Sequence, residues 1–187
     1  FGIAATKRKE LIKPLLKESK TWSVNTLLEE VKFYYHQNER EYQYIAIALL
    51  EKNYKRIEWE QWQTVVFPLI TIKPWWDSID SLKNPISLYL VTEPEKLEEF
   101  VHIHMKSPSL WERRIAILIQ LKYKEQTRTD LLAEVILETY QDNQFFIQKA
   151  IGWVLREYSK TNPAWVRSFI EEHELSKLAT TEGSKFL

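Results

Sequence analysis

Two side chains that could take part in chemistry stand four residues apart in the segment Lys73–Asp80, which reads KPWWDSID. On a helix, residues four positions apart share a face, whereas adjacent residues diverge by about 100°. Trp76 and Asp80 therefore share a face, which Lys83 extends, and a carboxylate would lie beside an indole ring at a surface or a cleft. The alternative is that Trp76 fills the gap to the next structural repeat and that Asp80 is an ordinary surface charge.

The adjacent tryptophan, Trp75, is predicted to face the interior. It aligns at helical spacings with Ile79, Leu82 and Ile86. Apolar residues at such spacings form the buried stripe of an amphipathic helix. The two neighbouring tryptophans are therefore predicted to face different environments.

Arg114 is a third residue whose side chain could take part in chemistry or binding. It lies three residues after Trp111 and four before Leu118, at the edge of an apolar stripe. A guanidinium in that position needs an anion, which is either a carboxylate or a phosphate. The adjacent Arg113 faces away from this stripe and is predicted to be solvated.

Trp153 lies off the centre of another apolar stripe. The stripe consists of Ile147, Ile151, Val154 and Tyr158. The preceding Gly152 costs helix stability, which indicates that another group approaches closely there. Packing against a neighbouring helix is the alternative explanation for Trp153.

Several classes of site lack support in the sequence. Cysteine is absent, so disulfides and thiolate metal sites are excluded, and the four histidines show no ligand pattern. No glycine-rich nucleotide loop occurs. No apolar run approaches the roughly 18 residues of a membrane span, and no signal-peptide pattern opens the chain. We therefore expect no metal, no cofactor and no membrane association.

Amphipathic helices must position these residues. Apolar residues recur along the chain at i, i+3, i+4 and i+7, and three glycines in 187 residues cannot supply the turns of a barrel or a sandwich. The apolar stripes run over 11–16, 27–35, 42–50, 62–70, 97–105, 111–121, 131–140, 146–158 and 165–170. Two helix starts are also marked, a capping box of Ser109 with Glu112 and an N-cap at Asn162 followed by Pro163.

These elements favour one fold class. Helices of about 12–18 residues joined by short polar turns are typical of stacked antiparallel pairs. The sequence therefore predicts an all-α fold, an α-solenoid or superhelix of HEAT-like antiparallel helical repeats, as a single domain over residues 1–187. A compact helical bundle is the alternative.

Charge is zoned although the formal net charge is zero. Residues 106–128 carry six bases against two acids, and residues 143–167 carry four bases against one acid. Local fields of this kind steer charged partners. The alternative is that amphipathic helices simply carry charged outer faces. Four of the bases are candidates for contact with a charged partner, namely Arg113, Lys122, Lys124 and Lys149.

Four segments resemble the AlkD-type DNA alkylation repair family, which consists of bacterial alkylpurine DNA glycosylases built from HEAT-like repeats. These segments are WWDSID at 75–80, WERRIAI at 111–117, QLKYK at 120–124 and FFIQKAIGWVLRE at 145–157. The resemblance covers about residues 1–176. It implies that Asp80 is the catalytic aspartate, Trp76 and Trp153 are the cleft tryptophans, and Arg114 is the active-site arginine.

The resemblance also implies a reaction and a partner. Such enzymes hydrolyse the N-glycosidic bond of N7-alkylguanine and N3-alkyladenine in double-stranded DNA, without flipping the base into a pocket. Asp80 would stabilise the oxocarbenium-like sugar and hold the attacking water. The two tryptophans would face the cationic nucleotide, and Arg114 would hold a backbone phosphate. Because the partner implied by the resemblance is DNA, we expect the four candidate bases to contact it, namely Arg113, Lys122, Lys124 and Lys149. The implied protein is a cytoplasmic bacterial monomer that needs neither a metal nor an organic cofactor.

Some features depart from the family pattern. Family members usually carry about two more helices before the equivalent of Phe1, and the chain does not begin with methionine, so we expect residues upstream. Ala4 stands where a glutamine is usual. The tail 179–187 departs from the usual basic helix, and Gly183 is predicted to weaken a helix there. The alternative function is a non-catalytic HEAT-like module that binds DNA or a protein.

Overall fold

The computed structural model describes all residues from 1 to 187 and contains helices and turns but no strands. The chain forms two compact units, Phe1–Tyr89 and Leu90–Leu187. The helices of the first unit are α1 (Ala5–Leu11), α2 (Lys13–Glu18), α3 (Val24–His36), α4 (Arg40–Asn53), α5 (Trp59–Gln61) and α6 (Trp76–Leu90). The single domain over the whole chain stays a prediction.

The core of the first unit includes the packed pair α3 and α4, which a short connection joins. The predicted apolar stripe of α3 is buried, whereas that of α4 is buried at Leu49 and Leu50 but only partly at Tyr42 and Ile45. The buried residues are Leu27, Leu28, Val31 and Tyr35 on α3, with Ala46, Ile47, Leu49 and Leu50 on α4. Helical periodicity therefore identified the inward face of α3 correctly and that of α4 in part.

The segment Trp62–Thr71 differs from the regular helix that the sequence predicts. A π-helical turn covers Trp62–Val66, and a 3-10 turn covers Phe67–Thr71. Pro68 has no backbone N–H to continue an α-helical ladder, and β-branched residues precede it. Of the predicted stripe, Trp62, Val66, Leu69 and Ile70 are nevertheless buried and Val65 is partly exposed, so most of the burial was predicted correctly and the backbone was not.

The start of α6 overturns the prediction for Trp75. The residues Ile79, Leu82 and Ile86 are fully buried as predicted, but Trp75 is 46% exposed. The helix begins only at Trp76, and the carbonyl of Trp75 accepts the first helical hydrogen bond, from the N–H of Ile79 at 3.0 Å. The helical period cannot be extended to a residue that precedes the helix.

The second unit contains six helices. They are α7 (Pro94–Met105), α8 (Leu110–Leu118), α9 (Thr129–Thr139), α10 (Phe145–Tyr158), α11 (Pro163–Glu172) and α12 (Lys177–Gly183). Helix α10 packs against both α8 and α12. Several of these helices are shorter than the 12–18 residues expected.

One predicted helix start is confirmed and the other is wrong. The Asn162 side chain accepts a hydrogen bond from the backbone N–H of Trp165 at 3.1 Å and caps α11, with a proline in the first turn. The Ser109 side chain does not cap α8. The Glu112 carboxylate instead accepts a hydrogen bond from the hydroxyl of Ser107, so the predicted capping box does not form.

Gly152 allows α12 to approach α10. The sequence predicted a close approach at this glycine but did not identify the approaching element. A Cβ atom at residue 152 would lie 2.5 Å from the Cβ of Glu182. A Cβ atom at Gly183 would lie 3.1 Å from the Cβ of Leu155. The chain is helical up to Gly183, and the missing side chain there lets this helix pack closely, while the cost of the glycine to the helix stays a prediction.

The difference in burial between two tryptophans gives a stability prediction. Trp62 is fully buried, so Trp62→Ala should lower the free energy of unfolding by about 3–5 kcal/mol through the cavity it leaves. Trp75→Ala should cost less than about 1 kcal/mol because its side chain is half exposed. Urea unfolding of both variants measures the difference. A larger loss for Trp75→Ala than for Trp62→Ala would contradict the packing described.

Candidate active site and nucleic-acid interface

Trp76 and Asp80 occupy one face of the first turns of α6, as the i, i+4 spacing predicts. The Trp76 side chain is 46% exposed and Asp80 is partly exposed. The expected continuation of this polar face at Lys83 is wrong, because that side chain is only 4% exposed. The accessible part of the face is therefore confined to the beginning of the helix, where an indole and a carboxylate lie one turn apart.

Asp77 fixes the beginning of α6 against α4. Its carboxylate accepts hydrogen bonds from the Arg40 guanidinium at 2.8 Å, the Tyr44 hydroxyl at 2.5 Å and the backbone N–H of Ser78 at 2.7 Å. An acidic residue in the first turn is also favoured by the helix dipole. Asp77 therefore sets the position of the turn that carries Trp76, a role that the sequence analysis missed.

Tyr44 supports this anchor. Its burial and the hydrogen bond to Asp77 raise the pKa of Tyr44 to about 12. The Arg8 guanidinium also lies over the Tyr44 ring, 4.1 Å from the centroid. The phenol therefore remains protonated at neutral pH and continues to donate to Asp77.

Lys73 holds the chain on the other side of the tryptophan pair. Its ammonium group donates to the backbone carbonyls of His36 at 2.7 Å and Gln37 at 2.9 Å, at the C-terminal end of α3. Its backbone has a φ of 45°, in the left-handed region that costs a non-glycine residue about 1–3 kcal/mol. The α3–α4 pair therefore binds the chain through hydrogen bonds both before and after the two tryptophans.

The Asp77 anchor gives a second stability prediction. Asp77→Ala should lower the free energy of unfolding by about 1–2 kcal/mol, because three hydrogen bonds to a partly exposed carboxylate are lost. Tyr44→Phe removes one of these bonds and should cost about half as much. Urea unfolding of both variants checks the ratio. Unchanged stability in Asp77→Ala would show that this carboxylate does not anchor α6.

Arg114 and Trp153 lie in the second unit. The Arg114 side chain on α8 is 4% exposed, and its guanidinium donates to the carbonyl of Phe146 at 2.7 Å. The same guanidinium lies 5.8 Å from the centroid of the Phe146 ring. The sequence predicted a carboxylate or a phosphate as the partner, and a backbone carbonyl on the first turn of α10 is one partner that the structure shows. This contact ties α8 to α10.

Trp153 occupies the position on α10 that the sequence predicts. It is partly exposed, whereas Ile151 and Val154 beside it are buried. Lys149, one turn earlier, forms an ion pair with Glu182 of α12 at 3.1 Å. The predicted DNA-contacting cation thus has a carboxylate partner from the C-terminal helix, which the sequence did not indicate.

Arg113 is not solvated, contrary to expectation. Its side chain is 15% exposed, and its guanidinium donates to the Asp142 carboxylate at 2.8 Å and to the Ser107 carbonyl at 2.5 Å. Asp142 lies 29 residues away in sequence, three positions before the start of α10, so the fold rather than local spacing creates the pair. Contact of Arg113 with DNA stays a prediction.

Lys122 and Lys124 follow the end of α8 and are both exposed. Neither side chain forms an ion pair within the chain. Lys124 has a φ of 52°, the only non-glycine residue besides Lys73 with a left-handed backbone. These two lysines therefore offer unneutralised charge to a partner, and their contact with DNA stays a prediction.

No group of three or more histidine and carboxylate side chains is arranged to hold a metal ion. None of the helices is both long enough and apolar enough to span a bilayer.

Known proteins show where this architecture occurs. The sequence profile of a family described as "DNA alkylation repair enzyme" matches residues 1–187. The chain is similar to a solved structure described as a predicted DNA alkylation repair enzyme from Enterococcus faecalis, with 42% identity, a TM-score of 0.95 and coverage of 100% of this chain and 87% of that one. No curated protein matches it.

Two further structures share the fold at low identity. AlkD2 from Streptococcus mutans has a TM-score of 0.78 at 16% identity, with coverage of 100% of this chain and 92% of that one. The protein smu.31 from Streptococcus mutans UA159 has a TM-score of 0.75 at 17% identity, with coverage of 98% and 96%. The predicted AlkD-like helical repeat fold is confirmed, and the match along all 187 residues shows that the chain belongs to the family of DNA alkylation repair enzymes.

Proposed function

We propose that this protein is a DNA glycosylase that excises positively charged alkylated purines, N7-alkylguanine and N3-alkyladenine, from duplex DNA. The observation that carries the proposal is the pair of Trp76 and Asp80, which share an accessible face at the start of α6. The four contacts of Lys73 and Asp77 with the α3–α4 pair hold that start in place. A fixed carboxylate beside an accessible indole suits the stabilisation of a cationic ligand.

The chemistry requires little acid catalysis. Alkylation at N7 or N3 already gives the base a positive charge, so the leaving group does not have to be protonated. The remaining demand is the stabilisation of an oxocarbenium-like deoxyribose, which a carboxylate meets in glycoside hydrolysis generally. Asp80 supplies that negative charge and accepts a hydrogen bond from the attacking water, whose oxygen forms the new bond to C1′ as the bond to the base breaks. The electron pair of the broken bond leaves with the base, which becomes neutral, and the proton that the water loses passes through Asp80 to solvent.

The other predicted site residues bind rather than react. The π faces of Trp76 and Trp153 attract the cationic nucleotide, each contributing about 0.5–2 kcal/mol. Arg114 binds a backbone phosphate and keeps its contact with the Phe146 carbonyl. That contact fixes the orientation of the guanidinium plane. The damaged base stays in the duplex stack instead of entering a pocket. The protein acts as a monomer in the bacterial cytoplasm.

The proposal is tested with two duplexes that differ in a single base. One contains N7-methylguanine, which is cationic, and the other contains hypoxanthine, which is neutral. We expect release of free N7-methylguanine and no release of hypoxanthine. Equal excision of both bases would contradict the reliance on a cationic leaving group. Binding of both duplexes without excision would instead support the non-catalytic DNA-binding module.

A further inference from the structure

Three cations in the second unit converge on one carboxylate. Glu182 on α12 pairs with Lys149 at 3.1 Å, with Arg156 at 2.7 Å and with Lys185 at 2.7 Å. The Glu182 side chain is 13% exposed, whereas each of the three cations is more exposed than that. The carboxylate therefore lies beneath a group of cations that solvent reaches.

The geometry of α10 and α12 explains this convergence. Lys149, Gly152 and Arg156 follow one another at spacings of three and four residues, so they share a face of α10. Gly152 lets α12 lie directly on that face, which brings the Cβ of Glu182 between the two cations. Lys185 comes from the turn that follows α12. Two elements distant in sequence are thus needed to assemble the cluster.

The cluster retains positive charge and hydrogen-bonding capacity. Hydrogen bonds from Lys185 and Lys149 lower the pKa of Glu182 to about 2, so it is ionised at neutral pH. One negative charge cannot neutralise three cations. None of the three cations forms another hydrogen bond or ion pair within the chain, so further donors of the guanidinium and the ammonium groups face solvent.

We propose that Lys149, Arg156 and Lys185 form a binding site for a phosphate of the DNA backbone, and that Glu182 holds these cations together while its charge opposes the phosphate. The cluster matches phosphate because a guanidinium fork and two ammonium groups meet at one point. The inference rests on the proposed function in one respect, namely that the bound phosphate belongs to duplex DNA. It assigns Glu182 the role of limiting the affinity for undamaged duplex.

A purely structural role for Glu182 leads to a different expectation. If its carboxylate served only to attach α12, its neutralisation would loosen the helix and weaken or leave unchanged the binding of DNA. If its charge opposes a phosphate, neutralisation should tighten binding. Glu182→Gln suits the comparison because glutamine keeps the shape and one acceptor oxygen while removing the charge.

The experiment measures the affinity for an undamaged fluorescent duplex by anisotropy at several salt concentrations. Glu182→Gln is expected to bind about 3- to 10-fold more tightly at low salt, with a steeper dependence of the association constant on salt. Lys149→Gln should bind more weakly and with a shallower dependence. In Glu182→Gln/Lys149→Gln, the gain from removing the acid should shrink, because one of the opposed cations is gone.

Controls separate this result from general effects. Glu134→Gln on α9 makes the same charge change at an exposed carboxylate that pairs with His102, and should alter affinity less than twofold. Urea unfolding establishes that each variant is folded. Inorganic phosphate added at constant ionic strength should not displace the duplex. Specific displacement would assign the cluster to free phosphate and overturn the assignment to DNA.

Failure of this inference is distinguishable from failure of the proposed function. Unchanged or weaker duplex binding by folded Glu182→Gln would overturn the phosphate site, whatever the protein excises. Excision of N7-methylguanine by the wild-type protein, measured in the same preparations, tests the glycosylase proposal separately.

Discussion

Asp80→Asn is expected to lower the rate of N7-methylguanine excision by at least about 100-fold, the scale for removing one preorganised electrostatic group from a transition state. Asparagine has nearly the same shape but carries no charge to stabilise the developing oxocarbenium ion. The rate should be measured under single-turnover conditions with enzyme in excess, so that product release does not mask the chemical step.

The affinity for duplex DNA should not fall in parallel with the excision rate. Asp80→Asn should weaken affinity little, or even tighten it, since removal of a carboxylate reduces repulsion from phosphates. Glu134→Gln serves as the matched control for the charge change and should excise at the wild-type rate. Near wild-type excision by a folded Asp80→Asn protein would remove Asp80 from the mechanism.

The second large effect concerns the neighbouring tryptophans. Trp76→Ala is expected to reduce excision by about 2- to 30-fold, which corresponds to the loss of one cation–π contact. Trp153→Ala should produce a similar loss. Trp75→Ala is the matched control, because Trp75 has the same 46% exposure as Trp76 but precedes the helix that carries Asp80. Its excision rate should stay within about threefold of the wild type.

The outcome for the two tryptophans distinguishes between their faces. Both variants should remain folded, and the same single-turnover assay compares their excision rates. A loss of excision in Trp75→Ala with normal activity in Trp76→Ala would show that the facing of the segment is wrong by one residue. Asp80 would then lose its aromatic neighbour in the proposed site.

Helical periodicity predicted most of the inward faces because burial along a regular helix repeats every 3.6 residues. Ile79, Leu82 and Ile86 on α6 illustrate this success. The same reasoning failed at Trp75 because no pattern in the sequence marks Trp76 as the first helical residue. It also failed at Lys83, since the periodicity of one helix does not show which other elements cover it.

Charge partners could not be predicted because they are distant in sequence. Counts of acids and bases within a window left Arg113 and Lys149 unpaired, but Asp142 and Glu182 reach them from 29 and 33 positions away. A tertiary contact of this kind depends on how helices pack, which the charge pattern does not encode. Arg114 and Trp153 stand out in the sequence because a guanidinium at the edge of an apolar stripe and an off-centre tryptophan violate the local pattern, and their functional roles stay predictions.

The anchors of α6 were missed for a related reason. In the sequence, Asp77 is only the residue after Trp76, and Lys73 only the residue before Pro74. The partners of Asp77 are Arg40 and Tyr44 on α4. The Lys73 ammonium group binds backbone carbonyls at the C-terminal end of α3. Such contacts follow from a left-handed backbone at Lys73 and from the packing of the α3–α4 pair, neither of which is visible as a spacing.

The most direct test of the glycosylase account is a product analysis of a duplex that contains one N7-methylguanine, incubated with the protein in water enriched in ¹⁸O. Hydrolysis of the N-glycosidic bond predicts equal amounts of free N7-methylguanine and of an abasic site, with the labelled oxygen at C1′ of the sugar. An intact lesion on a duplex that the protein binds tightly would contradict the account, as would conversion of the lesion to guanine without loss of the base.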